Sequence, residues 1–325
     1  MRTALRAAWI AGMLGVLGFL LHEKSAAQQG LLPPVPPNLF TVHKLTDKLS
    51  IIAPYGPDMS QIGGNIGVFA TDEGVLVVDD NYYTQERRGQ TVRLAEAVVA
   101  EIKKITNQPI RFIINTHHHS DHAGGNPVFA KLGTIYAQKN VRKRILEDYK
   151  SSKDKLDFDP VKAAPTVTYD GELMFFLGGE EIHLYHPGRA HTDGDTLIHF
   201  KNSNIALWGD TFINNWVPNI DVPGGASTLE WLQFIDRGLQ LVGENATMVP
   251  GHGAIAKAAD VRRFRTYFTN MHANVRKAIA AGKTRDQAMD EITVPAYASL
   301  PGGAARIRLN VAAMYDELKA VGSKD

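Results

Sequence analysis

Short apolar or alternating runs, separated by polar turns, dominate the first part of the chain. Segments 42–55 and 63–80 predict strands broken by turns, and the apolar run at 111–115 is typical of a buried strand. Another strand is predicted at 134–138, and strands dominate again between residues 166 and 214. Strands and helices mixed in this order favour a layered α/β sandwich over an all-β domain.

Other segments show helical periodicity. Residues 85–104 predict a helix with one apolar face, formed by Val92, Ala95, Val99 and Ile102. A polar helix is predicted to end near residue 149, and further helices at 228–241 and from 257 onward. In the last of these, apolar residues recur at steps of three and four from Val261 to Ile279. This stripe either packs on the parent sheet, or covers the mouth of a site or forms a dimer contact.

The N-terminal segment has the pattern of a signal peptide. Arg2 and Arg6 precede the uncharged run 7–21, and the small residues Ser25 and Ala27 predict cleavage after residue 27. An uncleaved anchor is the alternative, and in both cases the folded part is exported. Cleavage predicts a periplasmic or secreted protein. With cleavage we expect no stable membrane span. Four prolines at 28–37 predict an extended tether, followed by a main domain at 38–258 and a helical segment at 259–325 packed on it.

Composition narrows the possible chemistry. The 325 residues contain no cysteine, so a metal site would use only nitrogen and oxygen ligands. The formal net charge is +1 for the whole chain and becomes −1 when residues 1–27 are removed. This balance argues against broad electrostatic binding of nucleic acid.

The strongest chemical signal is a histidine-rich segment directly after the run at 111–115. Four of the chain's 12 histidines lie at positions 117–122. In an extended loop His117 and His119 point the same way and can bind one cation, while Asp121 and His122 can face a second position. These ligands suit zinc, and hydrolases often hold two metals about 3.5–4 Å apart. The alternative is a polar surface loop that happens to be rich in histidine.

The segment THHHSDHAGG resembles the HxHxDH signature of the metallo-β-lactamase-fold hydrolases. Other landmarks occur in the order of that family: GVLVVDD, HPGRAHTDGDT, ALWGDT and VPGHG. The resemblance implies a four-layer αβ/βα sandwich at 38–258 with a C-terminal helical extension. It implies two Zn²⁺ ions: the first bound by His117, His119 and His191, the second by Asp121, His122 and His252, with Asp210 bridging them.

From the same resemblance we expect an exported zinc-dependent hydrolase that acts on a small molecule. A hydroxide held by both zinc ions would attack the carbonyl carbon of an ester, thioester, lactone or lactam. Asp121 and Asp210 would be the catalytic carboxylates, with Asp121 orienting the nucleophile. Asp79 would fix the histidine loop through hydrogen bonds, or else form a structural ion pair.

Several alternatives stay open. β-Lactam cleavage could be the main activity, although Asp210 follows the pattern of thioester, lactone and phosphodiester hydrolases. A mononuclear-iron dioxygenase of the same fold would use His117, His119 and Asp210, and a non-catalytic zinc-binding protein in the periplasm would keep the fold alone. His118 is expected to face away from the ligand pair. Trp216 either lines a substrate pocket or packs elsewhere.

Overall fold

The computed structural model describes residues 39–53, 63–87, 90–151, 157–300 and 302–322. The predicted signal peptide at 1–27 and tether at 28–37 lie outside these residues, so both stay predictions. Over the described ranges, no helix combines the length and apolar character that crossing a membrane requires.

The described strands form two large sheets and one hairpin. The first sheet has the spatial order β1-β2-β3-β4-β7-β8-β9, and its strands are Thr41–Lys44, Leu49–Ala53, Ile66–Thr71, Gly74–Val78, Ile110–Asn115, Thr134–Gln138 and Val167–Tyr169. The second sheet contains β10 to β14 in chain order, formed by Glu172–Leu177, Glu180–Tyr185, Leu197–Phe200, Ile205–Leu207 and Thr247–Val249. The hairpin pairs β5 (Gln85–Arg87) with β6 (Gln90–Val92).

Helices flank both sheets. In the described residues they are α1 (Leu94–Ile105), α2 (Ser120–Ala123), α3 (Asn126–Phe129), α4 (Lys139–Ser151), α5 (Pro160–Ala163), α6 (Thr228–Val242), α7 (Ala258–Ala280), α8 (Arg285–Glu291), α9 (Pro295–Ala298) and α10 (Gly303–Gly322). A short 3-10 turn, Gly209–Thr211, follows β13.

The three largest apolar clusters of the described residues lie between four layers. Residues such as Leu76 and Ile198 pack between the two sheets, because both sheets turn an apolar face inward. On the outer face of the first sheet, α1 packs through Val98. On the outer face of the second sheet, α6, α7 and α10 form one cluster that contains Trp208 and Phe268. The predicted αβ/βα sandwich with C-terminal helices is therefore confirmed.

The predicted helix at 85–104 is wrong in its first half. Residues 85–87 and 90–92 form the paired strands β5 and β6, and the helix begins only at Leu94 and continues to Ile105. The apolar repeat that favours a helix starts at Leu94, because the stretch before it is polar apart from Val92. Of the four residues assigned to one helical face, Val92 therefore belongs to the hairpin.

Parallel strand pairs bring four loops to one edge of the sandwich. β4 and β7 are parallel neighbours in the first sheet, and β13 and β14 are parallel neighbours in the second. Parallel neighbours end on the same side of a sheet. The residues just after these strands are Asp79, the histidine loop, Asp210 and His252, and they converge on one site.

Candidate metal centre

The histidine loop is held by Asp79, which follows β4. The Asp79 carboxylate accepts hydrogen bonds from the backbone nitrogen of Thr116 at 2.7 Å and from its hydroxyl at 2.8 Å. Asp79 adopts a left-handed backbone conformation, with φ of 63°. Such a conformation is costly for a residue other than glycine, and it turns the carboxylate toward the loop. The start of the loop is therefore fixed by two bonds to one side chain.

The first donor group consists of His117, His119 and His191, whose nearest ligand atoms lie within 4.8 Å of one another. His191 donates through Nδ1 to the backbone oxygen of Asn219 at 2.8 Å, and His119 donates through Nε2 to Asp221 at 2.9 Å. The other nitrogens of the two rings lie 2.9 Å apart, at hydrogen-bonding distance. With no metal present a proton lies between them, and a cation bound by both nitrogens would take its place.

His117 completes the first group. Its Nδ1 atom lies 3.1 Å from the Thr116 hydroxyl, and its Nε2 atom is buried without a hydrogen-bond partner. A buried polar atom with no partner is costly, so its presence calls for a ligand. An imidazole nitrogen with a free lone pair fits a divalent cation such as zinc.

The second donor group consists of Asp121, His122 and His252. The Nε2 atoms of the two histidines lie 3.2 Å apart, and Asp121 Oδ2 lies 3.1 Å from Nε2 of His252. The outer nitrogen of His122, Nδ1, donates to Asp79 at 2.8 Å. Asp79 therefore fixes this ring with Nε2 directed into the site, as carboxylates do for metal-bound histidines.

Asp210 lies between the two groups. Its Oδ1 atom is 3.2 Å from Nε2 of His122, and its Oδ2 atom is 3.6 Å from Nε2 of His191. Gly251 makes room for this carboxylate, because a Cβ atom at position 251 would lie 2.0 Å from Asp210 Oδ1. One oxygen for each group is the geometry that a bridging carboxylate requires.

The two groups differ in their electrostatics. Burial, reinforced by His119, lowers the pKa of His191 to about 4, and burial with the surrounding imidazoles holds the pKa of His117 well below its usual value. Burial also opposes charge on His252, but the carboxylates of Asp210 and Asp121 raise its pKa to about 9. Burial opposes charge on His119 as well, but the hydrogen bond to Asp221 and the nearby carboxylates raise its pKa. His117 and His191 therefore offer neutral imidazoles, whereas at His119 and in the second group a metal ion would replace protons held near carboxylates.

The structure brings all seven of these residues together, in the two groups that the resemblance implies, with Asp210 between them. His118 belongs to neither set, since its Nε2 atom faces Asp221 at 3.6 Å. Of the two hypotheses for Asp79, the hydrogen bonds to Thr116 and His122 favour a positioning role. Within the described residues, Asp79 has no ion pair with a lysine or arginine.

Replacing Asp79 with asparagine should lower the affinity for zinc about 10–100-fold. The amide group would present N–H donors to the Nδ1–H of His122, so the ring would rotate or carry its proton on the nitrogen that faces the site. Titration with a competing chelator measures this affinity.

Asp80→Asn is the matched control for Asp79→Asn. Asp80 is buried, and its carboxylate accepts a hydrogen bond from the backbone nitrogen of Gly125 at 2.9 Å, which the oxygen of an asparagine can also accept. We expect zinc affinity within about threefold of the original chain, since the bond from Gly125 to Asp80 can persist. Equal losses in both variants would contradict a specific role for Asp79.

A cavity of about 280 Å³ opens beside the two donor groups. Trp216 lines it, with its ring 5.7 Å from that of His252, which agrees with the pocket hypothesis for this residue. Tyr82, Asn219 and Arg306 also line it, although no sequence motif marks them. Asp221 was missed for the same reason. A polar residue in a loop or on a distant helix carries no local signal that it reaches a site.

Known proteins with similar sequences include metal-dependent hydrolases of one superfamily. A family model described as the metallo-beta-lactamase superfamily matches residues 61–252. A metallo-beta-lactamase type 2 from Elizabethkingia meningoseptica is 24% identical over 195 residues, which cover 60% of this chain and 71% of the relative. A linear primary-alkylsulfatase from a Pseudomonas species is 21% identical over 269 residues, covering 69% of this chain and 49% of the relative. The chain therefore spans about half the length of the alkylsulfatase.

Solved structures show the same fold. A metallo-beta-lactamase from Pontibacter korlensis superposes with a TM-score of 0.58 at 20% identity, over 71% of this chain and 99% of the other. The DIM-1 metallo-beta-lactamase superposes with a TM-score of 0.56 at 18% identity, over 72% of this chain and 98% of the other. At these identities the likeness concerns the fold alone.

Proposed function

The chain belongs to the metallo-beta-lactamase superfamily, and on that premise we propose that it is an exported, zinc-dependent hydrolase of a small molecule. The bond that it cleaves is carbonyl-centred: an ester, thioester, lactone or lactam. One observation carries the proposal, namely two complete donor groups that share Asp210 beside a cavity. Export rests on the N-terminal pattern at residues 1–27.

Two zinc ions fit the donors, one with His117, His119 and His191 and one with Asp121, His122 and His252. When bound, such ions lower the pKa of water and polarise a carbonyl oxygen. Asp121 suits this chemistry, because its carboxylate lines the cavity and would accept a hydrogen bond from the attacking water.

Tyr82 supplies a hydrogen-bond donor on the cavity wall. Burial, together with the nearby carboxylates of Asp121 and Asp210, raises its pKa to about 12. The phenol therefore keeps its proton at neutral pH. It can donate to a substrate oxygen on which negative charge develops during attack.

Two observations bear on the choice of substrate. The lactamase relative keeps β-lactam cleavage as an alternative main activity. The alkylsulfatase relative, together with the guanidinium of Arg306 in the cavity, favours sulfate esters as a second candidate. Zinc bound entirely by histidine and aspartate is compatible with all of these.

Metal analysis and a substrate panel test the proposal together. We expect two zinc ions per chain after purification without added metal, and hydrolysis of one class among chromogenic esters, thioesters, lactones, β-lactams, phosphodiesters and sulfate esters. Removal of zinc by a chelator should abolish turnover, and added zinc should restore it.

Two results would replace the proposal. One iron per chain with oxygen consumption would indicate the mononuclear dioxygenase, which needs only His117, His119 and Asp210. Two zinc ions without turnover of any substrate would indicate the non-catalytic zinc-binding protein.

A further inference from the structure

The C-terminal helix α10 contributes a cation to the wall of the metal-site cavity. Arg306, in the first turn of α10, lines the same cavity as His119, Asp121 and Asp210. It lies 54 positions beyond His252, outside the residues matched by the family model. The extension is therefore part of the site as well as part of the outer layer.

The position of Arg306 is set by a loop that also holds a metal donor. The guanidinium donates through Nη1 to the side-chain oxygen of Asn219. The backbone oxygen of Asn219 accepts the Nδ1–H of His191 at 2.8 Å. Asn310, one turn along α10, donates to the backbone oxygen of Pro218 at 2.9 Å. The arginine is thus placed at a defined position relative to the first donor group.

Arg306 differs from nearby arginines in its charge environment. On the adjoining helices Arg263 pairs with Asp260 and Arg285 with Asp316, and on α10 itself Arg308 pairs with Asp290. Across the described residues Arg306 has no carboxylate partner, and its contact is the neutral amide of Asn219. The carboxylates of the cavity, Asp121 and Asp210, face the donor groups instead.

A half-buried guanidinium without a counterion attracts an anion from the solution in the cavity. Its five donors also fit a carboxylate or a sulfate in two parallel bonds. We propose that Arg306 is a specificity-determining residue that binds an oxyanion of the substrate, a carboxylate or a sulfate. The inference rests on the proposed hydrolase and specifies the class of substrate.

Paired esters test this inference in the zinc-loaded full chain. Mono-4-nitrophenyl glutarate carries a free carboxylate, and 4-nitrophenyl valerate is its neutral counterpart of similar length. We expect Arg306→Ala to lower the ratio of kcat/KM for the anionic ester over the neutral ester at least about tenfold, mainly through KM. Arg306→Lys should recover part of the ratio. Arg308→Ala, two positions away on the same helix, should leave the ratio unchanged because Arg308 pairs with Asp290.

A binding measurement keeps the inference separate from the proposed function. Calorimetry would compare 4-phenylbutyrate, 4-phenylbutyl sulfate and neutral 4-phenylbutanol on the same variants. Tighter binding of one anion that weakens at least about tenfold in Arg306→Ala, but not in Arg308→Ala, supports the inference and identifies the preferred oxyanion. If Arg306→Ala and Arg308→Ala bind each anion with equal affinity, the inference is overturned, because the anions would then bind away from Arg306. If neither ester is hydrolysed by the original chain, carbonyl hydrolysis fails while this measurement still decides the role of Arg306.

Discussion

Replacing Asp210 with asparagine should release much of the bound zinc and lower hydrolysis about 100-fold or more. The carboxylate directs one oxygen toward His122 and the other toward His191. An amide has only one oxygen, and its NH₂ group would face an imidazole that is expected to bind a cation. It also carries no charge to offset the two ions. Metal content by mass spectrometry and kcat/KM for the best substrate measure the two effects.

Asp236→Asn provides the same chemical change away from the site. Asp236 lies on the solvent side of α6 and pairs with Arg265 at 2.6 Å. Exposed ion pairs contribute little to stability, about 0–1 kcal/mol, so zinc content and turnover should stay close to those of the original chain. Unchanged zinc content and rate in the Asp210 variant would refute a bridging role for that carboxylate.

Trp231→Ala should destabilise the protein by about 3–5 kcal/mol. The indole is fully buried against Phe264 and Phe268, which come from α7, the first helix of the C-terminal extension. Its Nε1–H donates to the backbone oxygen of Thr211 at 2.8 Å, and its ring centroid lies 5.7 Å from that of His191. The substitution leaves a cavity and an unpaired carbonyl next to Asp210. Urea unfolding measures the loss, and zinc affinity should fall with it.

Two further variants distinguish the loss of buried packing at Trp231 from the effect of shortening any side chain. Trp231→Phe keeps most of the apolar contact but removes the donor to Thr211, so a smaller loss of about 1–3 kcal/mol is expected. Leu309→Ala truncates a side chain that is 58% exposed and should stay within about 0.5 kcal/mol of the original stability. If Trp231→Ala and Leu309→Ala lose similar amounts of unfolding free energy, the layer formed by α6, α7 and α10 does not support the site.

Most of the residues that hold the metal-binding histidines in place could not be predicted from the sequence. Asp221 holds His119, and Asn219 links His191 to Arg306, but both lie in an irregular loop without apolar periodicity. The role of Asp79 was open between two hypotheses, because a strand-end aspartate suits either. Its distance of 2.8 Å to His122 favours the positioning role.

Two strand hairpins show a weak similarity in sequence, of a kind that also arises by chance. Segments ending at Asp79–Asp80 and at Asp210 share a strand, a polar turn and a second strand with an acidic end; interpreted as a signal, this predicts two β-rich halves whose strand ends meet. The structure places the first pair in one sheet as β3–β4 and the second in the other as β12–β13. Each hairpin delivers its carboxylate to the same edge.

The sequence by itself determined the layered α/β class and the chemical identity of the donors. Alternating apolar positions and a dense histidine motif are local patterns, and local patterns persist whatever the rest of the chain does. Tertiary structure alone decided that Arg306 enters the cavity from α10 and that Asn219 and Asp221 hold the rings of His191 and His119. These relations join residues separated by tens to nearly 200 positions, and they depend on sheet packing and side-chain orientation that no short segment specifies.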